Sequence, residues 1–290
     1  MSWRTIVISS SAKLDYKLDY LVVRQEEITK IHLSEISILL IENTAVSITA
    51  ALLNELIKRK IKVIFCDEKR NPSSELVSYY GCHDSSAKIR NQICWNDEIK
   101  ELIWTEIVSE KIRNQRNILK YFNKKKYFML DEYLSQIEIG DTTNREGHSA
   151  KVYFNALFGM DFTRTSDTPT NAALNYGYGI LLSTFNREIV ANGYITQLGL
   201  FHDNMFNHFN LGSDLMEPFR TLVDKIVYNL KPEIFNHNEK MELLNILNKE
   251  VIIDGKINYV NNAIKIYCKS VFDAINQQDV SLIKFYKDEL

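Results

Sequence analysis

Between Thr5 and Ile41 the apolar residues come in short runs: Thr5-Ile6-Val7-Ile8, Tyr20-Leu21-Val22-Val23 and Ile36-Ser37-Ile38-Leu39-Leu40-Ile41. Runs of this length, rich in β-branched and aromatic side chains, predict strands. From Val46 to Lys60 the period lengthens, with Ile48, Leu52, Leu53, Leu56 and Ile57 at helical intervals. The basic cluster Lys58-Arg59-Lys60 closes that helix with the charge its C-terminal dipole favours. Lys62-Val63-Ile64-Phe65 predicts another strand, Asn71-Pro72-Ser73-Ser74 a turn, and Leu76 to Tyr80 a return to the sheet before Gly81. After about Ser85 the strand signal gives way to 3.6-residue periodicity through to Leu290. The pattern predicts an α+β chain: a small β-rich domain over residues 1–84, then a larger all-α domain over residues 85–290.

Composition adds little to that picture. A chain of 290 residues, 45% hydrophobic and 25% charged, has the make-up of a soluble globular protein of one large or two ordinary domains. The 35 Lys and Arg nearly balance 37 Asp and Glu, so a nucleic-acid surface has to be local. Met1-Ser2-Trp3-Arg4 leads into a short apolar run and no later stretch approaches the length that spans a bilayer, so the chain is expected to be cytoplasmic without a membrane role. Cys66, Cys82, Cys94 and Cys268 lack CxxC spacing and are expected to be reduced and structural. A zinc site around Cys82 and His83, with Cys66 and Cys94, is the alternative that their irregular spacing disfavours.

Candidate chemistry begins at Thr143-Asn144-Arg145-Glu146-Gly147-His148-Ser149-Ala150, a helix start. On a helix Glu146 falls in line with Ala150, Tyr153 and Leu157, which turns its carboxylate toward the buried side. Thr143 and Glu146 equally fit a capping box, in which the acid only satisfies the cap's backbone N–H. Glu217 stands directly before Pro218, a position that disfavours helical geometry, so it is expected to cap the helix carrying Phe219, Leu222, Val223, Ile226 and Leu230. His202, in Phe201-His202-Asp203-Asn204, reads by itself as an ordinary satisfied histidine.

Taken together these segments carry a resemblance. Arg145-Glu146-Gly147 with Ala150 and Tyr153-Phe154, then Phe201-His202-Asp203-Asn204, then Asp214-Leu215-Met216-Glu217-Pro218-Phe219-Arg220 with Asp224 resemble, in order and separation, the three motifs of the CRISPR-associated integrase family Cas-one. The helix Asp167 to Tyr178 looks like a further hallmark, while Trp3-Arg4 and Phe65-Cys66-Asp67-Glu68-Lys69 resemble the type II branch, so the likeness covers essentially the whole chain. The resemblance implies that Glu146, His202 and Glu217 are catalytic and together hold a divalent metal. Many branches have an aspartate at the third position; Glu217 stands there in this chain, with Asp214 three residues earlier as the other candidate acid. Two hard oxygen ligands and an imidazole suit Mg²⁺ or Mn²⁺. The implied activity inserts short foreign DNA into a repeat array by transesterification with a DNA 3′-hydroxyl, and the same centre would cut DNA with water as nucleophile. The implied partners are spacer DNA and the repeat array, a second copy through the β domain, a central Cas-two dimer, and in the type II branch Cas-nine and a ring-forming accessory protein.

DNA contact needs positive charge, and the densest run is Lys111 to Lys126, with seven Lys or Arg and no acid. Lys111, Arg113, Arg116, Lys120 and Lys124 are the candidate phosphate contacts, the last four sharing one helix face; a merely solvated face is the rival reading. Tyr121, Phe122, Tyr127 and Phe128 interleave with the run and are expected in the core rather than as base-stacking platforms. Two other functions compete with integration: a general metal-dependent nuclease of branched or single-stranded DNA, and a catalytically silent DNA-binding scaffold.

Overall fold

The computed structural model describes residues 4–77 and 82–288. Trp3 and most of the strand expected between Leu76 and Tyr80 therefore lie outside the described residues. The chain divides into two compact units, Met1–Gly81 and Cys82–Leu290.

In the first unit β1 (Arg4–Ile8), β2 (Ala12–Lys17), β3 (Tyr20–Arg24), β4 (Ile28–His32), β5 (Ile36–Ile41) and β6 (Val46–Ile48) precede α1 (Ala50–Lys58), β7 (Lys62–Cys66) and β8 (Pro72–Glu75). They form two four-stranded sheets, ordered β1-β5-β7-β8 and β4-β3-β2-β6. The continuous apolar run predicted as a strand is β5, buried at every position between the parallel neighbours β1 and β7, as a central strand with both faces covered must be. The core draws on both sheets and on α1, with Leu14, Leu21, Leu33, Ile36, Leu39, Leu52, Leu56 and Val63 at its centre. The turn expected at Asn71-Pro72-Ser73-Ser74 is instead the start of β8, antiparallel to β7. Pro72 is tolerated because it opens an edge strand. The reversal sits earlier, where the Asp67 carboxylate accepts from the amides of Lys69 (2.9 Å) and Asn71 (2.8 Å).

The second unit runs α2 (Ser85–Ile93), α3 (Asp97–Tyr121), α4 (Tyr127–Ser135), α5 (Arg145–Phe158), α6 (Pro169–Ala191), α7 (Asn210–Met216), α8 (Arg220–Leu230), α9 (His237–Leu244), β9 (Glu250–Ile253), β10 (Lys256–Tyr259) and α10 (Val260–Gln277). It is not purely helical, since β9 and β10 pair as an antiparallel hairpin. Asp254-Gly255 at its tip, both at positive φ, is the turn chemistry such hairpins require. Helix α6 is the hub, capped by Thr168 with Pro169 in its first turn, and packed against α7, α8, α9 and α10. Gly177 lets α8 approach closely: a Cβ there would lie 2.5 Å from Val223. Helix α3 packs against α4, α5, α8 and α10, and its Lys111 and Gln115 share a cavity with residues of α5 and α8. Among the described residues no helix is long and apolar enough to cross a membrane.

Candidate functional site

Glu146 stands in the first turn of α5. The expected capping box is absent. Asn144, in left-handed conformation at φ 52°, is the cap and accepts from the Gly147 amide, while the two oxygens of buried Asp141 accept from the amides of Arg145 (2.7 Å) and Glu146 (3.0 Å). With those N–H groups served by neighbours, the Glu146 carboxylate is free to point inward, where it meets the ammonium of Lys111.

Glu217 closes α7 and opens the single 3-10 turn, Glu217–Phe219, that leads into α8. Its backbone is helical (φ −50°, ψ −47°), contrary to the extended cap expected before a proline. Tertiary contacts hold that geometry: the Pro218 carbonyl accepts from Asn114 Nδ2 and from the Tyr286 hydroxyl, each at 3.1 Å. The Glu217 side chain is buried; one oxygen accepts from Arg220 Nε at 3.0 Å and the other forms an ion pair with Lys111 without an aligned hydrogen bond. Burial pushes its pKa up, but Arg220 and Lys111 outweigh that and hold it down at about 2.

Lys111 therefore does not lie on the exposed basic face. It is buried, 6% exposed, and bridges two carboxylates brought from α5 and from the α7–α8 junction. Burial lowers its pKa, yet the carboxylates of Glu217 and Glu146 raise it overall, so it remains an ammonium.

His202 lies on the loop before α7, and its ring is positioned rather than loose. Nδ1 meets Asp214 Oδ1 at 2.5 Å, and the ring lies edge-on to Trp104, on which Phe201 stacks at 4.5 Å. Asp214 is fully buried and also accepts from the amides of Leu200 (2.6 Å), Phe201 (3.1 Å) and His202 (3.2 Å). That carboxylate is spent on shaping the loop and orienting the ring, which leaves Glu217 as the acid with capacity for a ligand. The Asp214 bond raises the His202 pKa against the effect of burial, and Glu217 adds to the rise. With Nδ1 engaged, Nε2 is the nitrogen left for a ligand.

The two glutamates line a cavity of about 230 Å³, with Lys111, Arg164, Tyr178, Arg220 and Asp224 among the other walls. Asp224 is buried and accepts from the hydroxyls of Tyr153 (3.0 Å) and Tyr178. Burial raises its pKa to about 6 even though both hydroxyls and Arg220 oppose the rise. Arg220 and Arg164 stack over the Tyr178 ring at 4.8 and 5.3 Å, leaving two cations on one aromatic shelf beside the carboxylates. The sequence assigns no role to Arg164, Tyr178 or Tyr153; Tyr153 gave a signal through its place on the Glu146 stripe and Tyr178 through the hallmark helix, while Arg164 gave none.

The structure thus brings Glu146 and Glu217 together and places His202 within electrostatic reach of Glu217. The three do not converge as tightly as Cys82, His83 and Asp84, the one group of three potential ligands within 4.8 Å of one another among the described residues. At that second cluster Asp84 accepts from the Cys82 thiol (2.7 Å), and the Lys88 ammonium, 3.4 Å from Asp84, already supplies the positive charge. Cys66 and Cys94 take no part in it; Cys66 and Cys268 are buried thiols and Cys94 is exposed.

Of the remaining basic candidates, Arg113 pairs with Glu110, Arg116 with Asp131 at 2.9 Å, Lys120 with Asp131 at 3.7 Å, and Lys124 lies over the Tyr228 ring. None of the four aromatics expected in the core is fully buried: Phe122, packed on Tyr228, and Tyr127 are half-buried, and Tyr121 and Phe128 are exposed.

Comparison with known proteins establishes the family and the fold. Residues 5–250 match the family described as CRISPR associated protein Cas1. The chain is 35% identical over 232 residues to the CRISPR-associated endonuclease Cas1 of Neisseria meningitidis serogroup C (strain 8013), covering 79% of this chain and 76% of the relative. Among solved structures, a casposase bound to integration product superposes with a TM-score of 0.79 at 18% identity, covering 97% of this chain and 93% of that one. A chain of a Cas6-RT-Cas1–Cas2 complex superposes with a TM-score of 0.74 at 18% identity; the match takes in 99% of this chain and 36% of that longer one. These structural likenesses speak to fold, and the sequence match speaks to descent: the chain belongs to the Cas1 family, the Cas-one family of the motif reading.

Proposed function

We propose that this chain is the divalent-metal-dependent integrase of a CRISPR adaptation system, joining the 3′-hydroxyl of a short DNA segment to a phosphodiester in a repeat array. The observation that carries the reading is the convergence of two motif carboxylates, Glu146 and Glu217, on one buried cation, beside a histidine whose ring is aimed by Asp214. The donor set fits Mg²⁺ or Mn²⁺: two carboxylates and an imidazole, one carboxylate oxygen of Glu217 being buried without an aligned donor. Glu146, Glu217 and His202 Nε2 would hold the ion. When bound, it would polarise the attacked phosphate and lower the pKa of the attacking hydroxyl.

The chain's own residues do the rest. Asp214 fixes the imidazole tautomer and orientation. Arg220 and Arg164, set on Tyr178, offer charge-assisted hydrogen bonds to non-bridging phosphate oxygens entering the cavity, where charge accumulates as the phosphate is attacked. Asp224 restrains the Tyr153 and Tyr178 hydroxyls and so fixes the shelf. Arg113, Arg116, Lys120 and Lys124 on α3 and its C-terminal turn would follow the DNA backbone.

Under this reading the β-rich unit joins two copies and a Cas-two dimer bridges the pairs; the fold likeness to a chain of the Cas6-RT-Cas1–Cas2 complex supports the Cas-two partner. Spacer DNA and the repeat array are the substrates, and Cas-nine with a ring-forming accessory protein would act in spacer choice. The protein would work in the cytoplasm.

The test is a strand-transfer assay with a 3′-hydroxyl duplex donor and a repeat-containing plasmid in Mn²⁺ or Mg²⁺. Donor covalently joined to the plasmid is the expected product. Plasmid cleavage with no joined donor identifies a nuclease instead, and neither product identifies a scaffold.

A further inference from the structure

The Lys111 ammonium occupies the place between Glu146 and Glu217 where a metal held by those carboxylates would also sit. Three features make this more than a surface ion pair. Lys111 is buried in the apolar stripe of α3, with Ile107, Val108 and Ile112 around it in sequence and equally buried. Glu217 is itself 4% exposed, so its negative charge depends on the cations beside it. Without a positive charge there, the buried Glu217 carboxylate would face the half-buried carboxylate of Glu146, which is unfavourable.

An ammonium and a divalent ion cannot share that place, because like charges a few Å apart repel strongly in a medium less polar than water. Resting on the metal-site reading above, we infer that Lys111 is a resident counter-ion of the active site that competes with the divalent metal. It holds the two carboxylates together until the ion enters, and then gives up both contacts. The adjoining cavity, about 230 Å³ and lined by Lys111 itself, has room for the displaced ammonium. There it would stand with Arg164 and Arg220 among the groups that meet a phosphate. Lys111 is therefore a positioning residue: it sets the metal affinity and keeps the ligands assembled.

The experiment compares Mn²⁺ binding by the full chain and by Lys111→Met, which keeps the apolar stem and removes the charge, using calorimetry and the electron-spin signal of free Mn²⁺. Competition predicts that Lys111→Met binds Mn²⁺ at least about tenfold more tightly, since the ion no longer displaces a cation. It also predicts that the variant melts below wild type without metal, and that saturating Mn²⁺ closes the gap. A merely structural lysine would lower the melting temperature by the same amount with or without Mn²⁺.

Unchanged or weaker Mn²⁺ affinity in the folded variant overturns the competition and leaves the metal site standing. Mn²⁺ binding that is absent, or that Glu217→Gln does not weaken, overturns both. A measurement on the wild-type chain needs no variant: reductive methylation of Lys111, followed by mass spectrometry, should accelerate on Mn²⁺ saturation as the ammonium leaves its carboxylates, and an unchanged rate overturns the proposal.

Discussion

Replacing Asp214 by Asn probes the histidine without touching any proposed ligand. The carboxylate is fully buried and takes four contacts: the amides of Leu200 (2.6 Å) and Phe201 (3.1 Å) on Oδ2, and the amide of His202 (3.2 Å) with its ring Nδ1 (2.5 Å) on Oδ1. An asparagine offers one acceptor and one donor end. If its NH₂ faces Leu200 and Phe201, two buried amides lose their acceptor. If it faces His202, one amide is lost and the ring must turn Nδ1 into an acceptor, which places the proton on Nε2 and removes the nitrogen needed for a metal. Each orphaned amide costs about 1–3 kcal/mol. The expected loss of stability is therefore about 1–6 kcal/mol, or on the order of 10 °C in the melting of the helical unit. Disrupting a ligand's outer hydrogen bond typically weakens metal binding by about 10–100-fold. Thermal melts with and without Mn²⁺, paired with a Mn²⁺ titration, measure both. A well-folded Asp214→Asn protein with wild-type Mn²⁺ affinity would refute the orienting role.

The same loop should be sensitive at Gly199, where an added Cβ would lie 2.4 Å from the His202 carbonyl and 2.7 Å from Asp214 Oδ2; Gly199→Ala should cost about 1–3 kcal/mol and weaken Mn²⁺ binding, and an unperturbed variant would show the packing to be looser than described. Asp224 has a folded-state pKa of about 6 against an ordinary 3.8, so its contribution is fully present below pH 3.8 and is lost as pH rises through 6, about 3 kcal/mol in all. Relative to wild type, Asp224→Asn should accordingly gain about 2 kcal/mol between pH 4 and 7 in urea unfolding, and a flat difference contradicts the burial argument. On α3, Arg113→Glu, Arg116→Glu and Lys120→Glu combined should weaken DNA binding and flatten the salt slope by up to about 0.9 per lost phosphate contact; an unchanged slope would leave a solvated, ion-paired face.

The strands of the first unit were legible where one run supplied the whole signal, as in β1, β3, β5 and β7. The edge strand β8 was hidden by Pro72 and two serines, residues that read as a turn until a neighbour is there to pair with. The β9–β10 hairpin carried a strong local signal in Val251-Ile252-Ile253-Asp254-Gly255, yet it sits among helical segments whose period dominates a longer window.

At the site, the motifs located all three candidate ligands, but their partners depended on tertiary contact. Lys111 was grouped with the basic run by composition, although it stands two residues from Arg113 and thus on the opposite side of the helix, in line with buried Ile107, Gln115 and Ile118. A period-based reading places it inside; a charge count does not. Glu217 lost its expected cap geometry because Asn114 and Tyr286, distant in sequence, hold Pro218, which no local rule registers. The motif context favours Glu217 over Asp214 as the candidate ligand, but that Asp214 serves the loop amides came into view only with the tertiary structure.

The central claim is that Glu146, His202 and Glu217 act as one unit around a divalent ion, and strand transfer by the three single alanine variants and the Glu146→Ala/Glu217→Ala double variant tests it most directly. Each single variant should lose joining of the 3′-hydroxyl donor to background in Mn²⁺ while retaining most DNA affinity, which rests on spread Lys and Arg contacts, and the double variant should lose no more than either single. Full strand transfer by a folded Glu146→Ala protein would contradict it.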